Sequence, residues 1–105
     1  MQVAQTILDQ IKAGDILALA RWGVLPKKIF AIKPANKHSG GLALYTLQNL
    51  RIEITLEFSD TYRVRLYNQR TKEPKLMGDL DDVYCDTLVP HIDSLVDEAF
   101  RTLGL

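Results

Sequence analysis

The chain has 105 residues, 47% of them hydrophobic and 25% charged, with 13 Lys and Arg balanced by 13 Asp and Glu. That composition excludes collagen-like, disordered and disulfide-stapled classes and suits a single domain with one core. The one cysteine, Cys85, has no internal disulfide partner, no apolar run approaches the roughly 18 residues of a membrane span, and Met1–Gln5 lacks the basic start and apolar stretch of a signal peptide; a cytoplasmic protein with no membrane partner is expected.

The neutral total conceals a gradient. Residues 21–38 hold Arg21, Lys27, Lys28, Lys33 and Lys37 with no acid, a net charge of +5, whereas residues 76–105 set Arg101 against seven acids, a net charge of −6. The two segments either neutralise each other in the fold or present a dipolar surface to a charged partner.

Val3, Ile7, Leu8 and Ile11 recur at helical spacing and Gly14 stands where a helix stops, so a helix is predicted over 2–13. Short apolar runs follow. Ile16–Ala20 and Lys28–Lys33 read as strands joined by a loop around Gly23 and Pro26, and Ala35–Gly41 as an exposed polar loop. Leu42–Leu47 is a strand apolar on both faces. With Gln48-Asn49 as a two-residue turn, Tyr45 falls opposite Ile52 on the core face and Leu42 and Leu44 face outward, beneath a loop or at a subunit contact; a longer turn reverses the faces.

Arg51–Phe58 alternates strictly, with Ile52, Ile54, Leu56 and Phe58 on one face, and Tyr62, Val64 and Leu66 continue the pattern against Arg63, Arg65 and Tyr67. An odd loop, in its simplest form Ser59-Asp60-Thr61, pairs Phe58 with Tyr62 and sets Glu57 opposite Arg63, an exposed pair contributing about 0.2–1 kcal/mol. Tyr84, Leu88, Ile92, Leu95, Val96, Ala99 and Leu103 form a helical stripe from about Asp82 to Leu103. Pro90 interrupts it, predicting a kink near 86–90 or a restart with Thr87 as cap. The expected fold is α+β, an antiparallel sheet of four or five strands with an N-terminal and a C-terminal helix on one face, in one domain spanning 1–105.

Three stretches, Thr6-Ile7-Leu8-Asp9-Gln10-Ile11, Val83-Tyr84-Cys85-Asp86-Thr87-Leu88 and Phe100-Arg101-Thr102-Leu103-Gly104-Leu105, together with the strand Arg51–Leu56, resemble a group of short uncharacterised proteins of phages, prophages and integrative elements. Those proteins begin with a T-I-L-x-Q-L helix and end with V-Y-A-D-x-L leading into a helix that closes T-G-L. The resemblance implies a mobile-element context and no chemistry. It departs at Arg21–Lys28 and at Pro90.

No spacing marks a catalytic site. Asp79, Asp81 and Asp82 with Asp86 are read as helix-capping acids, with a cation as the alternative; they lack the glycine and glutamate of an EF-hand. Cys85 is read as a small buried side chain, and His38 and His91 as surface or capping residues, since neither zinc-site spacing nor a nucleophile with its base is present. No cofactor is expected, and an enzyme is the weakest class. The leading expectation is a non-enzymatic protein that binds a host or phage protein or a second copy of itself through Leu42 and Leu44. The second is single-stranded DNA or RNA binding through Arg21, Trp22, Lys27 and Lys28, with Arg63 and Arg65 on the wet face of a strand. An overall pI near 6.7 weighs against the latter.

Overall fold

In the computed structural model, which describes residues 2–105, helix α1 (Gln2–Gly14) turns Ala4, Ile7 and Ile11 into the core at three- and four-residue spacing. The next segment is not the expected strand. The Asp15 side chain accepts the Leu17 N–H at 2.9 Å and the Asp15 carbonyl accepts the Ala18 N–H at 3.1 Å, and these local bonds curl the chain into the short helix α2 (Ala18–Arg21). Ile16 and Leu17 are left exposed, because the turn carries them away from the sheet.

Five strands follow: β1 (Val24–Ile32), β2 (His38–Thr46), β3 (Leu50–Glu57), β4 (Tyr62–Asn68) and β5 (Lys75–Val83). Each pairs antiparallel with the next, so the sheet order is the chain order, as short hairpin connections favour. The loop expected over 35–41 is shorter: Ala35 and His38 bridge across Asn36-Lys37, and His38 to Gly41 already belong to β2. Gly41 is required at its place, because a Cβ there would lie 2.0 Å from the Ile54 carbonyl oxygen of the neighbouring strand. After β5, a 3₁₀ turn (Cys85–Thr87) leads into α3 (Leu88–Leu103), which ends at Gly104 in the left-handed conformation. The helix restarts at Leu88 with Thr87 in the N-cap position, though the Thr87 hydroxyl donates to the Tyr84 carbonyl and makes no capping bond; Pro90 falls in the first turn, where its missing N–H breaks no intrahelical bond.

The sheet and its two main helices make the α+β class expected from the pattern, and residues of α1 and α3 share one core with Leu42, Leu44, Ile52, Ile54, Val64 and Leu66 of the same sheet face. Two expectations fail at the hairpins. Both use a three-residue loop whose last residue adopts positive φ, Asn49 at 60° and Asp60 at 66°, and whose N–H bonds the carbonyl three residues earlier, Thr46 and Glu57 respectively. Thr46 therefore closes on Leu50, Tyr45 pairs with Arg51, and Leu44 pairs with Ile52. One residue more than a two-residue turn exchanges the faces: Leu42 and Leu44 are 2% and 0% exposed, in the core, and supply no contact surface. In the second hairpin Leu56 pairs with Tyr62, so Phe58 lies in the loop, 66% exposed, and Arg63 faces Thr55 rather than Glu57.

Asp79, Asp81 and Asp82 do not cap a helix. They lie in β5, an edge strand interrupted by two register shifts, with Asp82 at φ 52° and its N–H bonded to the Asp81 carboxylate at 3.0 Å. This strand has little alternation to read, because the bulges change which face successive residues occupy.

Candidate functional site

With α1 and α3 packed on one side, the opposite face of the sheet carries no helix among the described residues. Beside the pair of Thr55 and Arg63, strand alternation puts two longer rows of side chains on it. One runs Phe30, Ala43, Glu53, Arg65 and Asp79 across β1 to β5, and the other runs Tyr45, Arg51, Tyr67 and Leu76 across β2 to β5. In the second row the Arg51 guanidinium carbon sits 4.5 Å from the Tyr67 ring centroid, while Arg51 Nη2 lies 3.1 Å from a Glu53 carboxylate oxygen. Its Nε, buried, has no hydrogen-bond partner among the described residues. Tyr45 meets Phe30 edge to face, with centroids 5.7 Å apart and planes at 84°. Phe30 stays 51% exposed, so its ring is presented to solvent rather than consumed by packing.

The basic residues of this face differ in how far they are already paired. Arg63 donates from Nε and Nη2 to the two Asp79 oxygens at 2.9 and 2.7 Å, a bidentate pair that holds the guanidinium pKa above and the Asp79 carboxyl below their ordinary values. Arg65 has only a loose approach to Asp79, 3.9 Å from its Nε. Beside these arginines a cleft of about 400 Å³ opens between β2 to β4 and the β1–β2 turn, lined by Lys37, His38, Thr55, Glu57, Arg63 and Arg65 among others. The Gly40 N–H donates to His38 Nδ1 at 3.0 Å, which leaves the proton of the neutral ring on Nε2.

The basic stretch read from the sequence is divided by the fold. Trp22 is 1% exposed and its indole N–H donates to Asp93 at 2.7 Å, so it offers no stacking surface. Arg21 is held between Asp15, at 2.6 Å, and Asp93, which it grips from Nε and Nη2. Lys27 and Lys28 stand exposed where β1 bulges away from β2, and among the described residues no carboxylate lies within 4 Å of them. Of the residues singled out for nucleic acid, Arg63 and Arg65 are brought to the open face beside the aromatic row, whereas Arg21 and Trp22 are tied to Asp93. The sequence does not mark Phe30 and Tyr45 for this face: a turn one residue shorter puts Tyr45 in the core, and β1 gives no clean alternation across its bulge to place Phe30.

Cys85 is exposed rather than buried, since the 3₁₀ turn that carries it precedes the apolar stripe of α3. His91 donates from Nδ1 to the Thr87 carbonyl at 2.7 Å, within the first turn of that helix. Among the described residues no group of three or more His, Cys, Asp or Glu side chains converges as a metal-binding set, and no helix is long and apolar enough to cross a membrane.

The fold and this face define an α+β protein with a five-stranded antiparallel meander, helices on one side and an aromatic and arginine-bearing surface on the other. No family model matches the chain, and neither a curated protein nor a solved structure matches it.

Proposed function

We propose that this is a non-catalytic binding module whose helix-free sheet face takes single-stranded nucleic acid. The observation that carries the reading is the row Tyr45, Arg51, Tyr67, with Phe30 beside Tyr45: aromatic rings and a guanidinium plane presented on a face no helix covers. Unpaired bases stack on such surfaces without regard to sequence, and neighbouring arginines meet the backbone charge. Tyr45 and Tyr67 stand two strands apart, roughly 9.5 Å. The reading keeps Arg63 and Arg65 from the nucleic-acid expectation and gives up Arg21 and Trp22, whose polar groups are already committed to Asp93. Self-association through Leu42 and Leu44 is set aside, because both are core residues. A mobile-element origin fits a strand-binding protein, and of the row Tyr45, Arg51, Tyr67 the resembling stretches include Arg51 alone.

Fluorescence anisotropy of a labelled oligothymidylate at low salt tests this. Tyr67→Ala is expected to remove a stacking contact worth about 1–3 kcal/mol, a loss of roughly 5- to 150-fold in affinity, without unfolding the chain. No binding at low salt, or binding indifferent to Tyr67→Ala and Tyr45→Ala, would overturn the reading.

A further inference from the structure

We propose that the cleft at the β1–β2 turn end of the open face is an oxyanion site that takes a phosphate group. Its lining is rich in donors. Among the described residues Lys37 has no carboxylate within 4 Å, Arg65 makes no hydrogen bond and has only the 3.9 Å approach to Asp79, and the neutral His38 ring has Nε2–H as its remaining donor. Thr55 adds a hydroxyl. Glu57 is the one acid in the lining, and the charge of Arg63 is already answered by Asp79. Lys37 and Arg65 together therefore exceed Glu57, and the cleft keeps an unbalanced positive charge beside unused N–H groups, the condition under which a tetrahedral oxyanion is held by charge-assisted hydrogen bonds.

The site adjoins the aromatic row along the strands. Arg65 and Tyr67 are next neighbours on one side of β4, and Thr55 and Arg51 lie on the same side of β3. Assigning the phosphate to a phosphodiester rests on the nucleic-acid reading above; the oxyanion site does not.

Two measurements separate these. The whole chain is titrated with inorganic phosphate and followed by NMR at the His38 ring and the Arg65 Nε–H. Saturable shifts at both are expected, lost at the His38 ring in Arg65→Gln, lost at both in Lys37→Gln and retained at both in Tyr67→Ala. No shifts, or shifts that survive both cleft substitutions, overturn the oxyanion site whatever the oligonucleotide does. In the second arm, oligothymidylate affinity is measured against salt, and Arg65→Gln is expected to lower the slope of log K on log[salt] by roughly 0.7, the value for one phosphate contact on a single strand. An unchanged slope overturns the phosphodiester assignment. Phosphate shifts without oligonucleotide binding sustain the oxyanion site, identify a free phosphate or small phosphoester as its ligand, and sink the strand-binding reading.

Discussion

Asp93 joins parts of the chain that are some seventy residues apart. One of its oxygens accepts from both the Trp22 indole and the Arg21 guanidinium, so α3 is tied to the start of the sheet through a single carboxylate. Asp93→Ala leaves the buried indole N–H without a partner and releases Arg21. The expected cost is about 1–3 kcal/mol, read as a lower denaturation midpoint with unchanged m-value and a shifted Trp22 emission. Asp93→Asn keeps an acceptor for the indole and should lose less; equal loss in both would mean that charge rather than the hydrogen bond dominates. Trp22 shows why residue type misleads at this scale. A tryptophan among lysines and an arginine matches a base-stacking stretch in composition, yet which of its faces is free depends on a carboxylate contributed by the last helix.

At the scale of elements, two positive-φ residues decide the sheet. Asn49 and Asp60 each end a three-residue hairpin loop in the left-handed region, which short amidated or acidic side chains tolerate and most others do not. Asn49→Val is therefore expected to cost about 1–2 kcal/mol, whereas Asn49→Gly should be neutral or stabilising, and thermal melts of the two variants check the sign. Strand identity was legible wherever alternation was strict. β3 and β4 were read with the correct face inward, because Ile52, Ile54, Val64 and Leu66 leave one parity for burial. Loop length was not, since two- and three-residue loops are both compatible with Leu47-Gln48-Asn49 and differ by the conformation of one residue. β5 was not legible either: its register shifts destroy the period that a reader of sequence relies on, and its run of aspartates resembles the start of a helix.

Across the whole molecule, the +5 and −6 segments meet in one place and part in another. In the helix layer Arg21 is neutralised by Asp93. In the sheet the remaining charges go to opposite edges: Lys27, Lys28 and Lys33 belong to or follow β1, while Asp81 and Asp82 sit on β5, four strand spacings or roughly 19 Å away. Each edge combines a cluster of like charges with a bulge, β5 carrying Lys75 only at its start, and β1 adds Pro26, devices that discourage the pairing of like edges. Acid sensitivity belongs at this scale too. The bidentate bond from Arg63 holds the Asp79 carboxyl below its ordinary value, so its contribution to stability is complete above the unfolded value of about 3.9 and is lost as pH falls through the lower folded one. Because the pair is partly exposed the contribution is small, about 0.5 kcal/mol. Wild type should melt a few degrees above Asp79→Asn at pH 7, the gap closing as pH falls below 4. A gap that persists at pH 2 would place its cause outside this carboxylate.

The order of helix, strands and helix, the α+β class and the wet face of β3 and β4 follow from periodicity, because burial of alternate residues leaves a trace in the residues themselves. The assembly of Phe30, Tyr45, Arg51, Tyr67 and Arg65 on one open surface leaves none. It arises when hairpin registers align side chains from four strands, and a change of one residue in the first turn would put Tyr45 inside and Leu44 out.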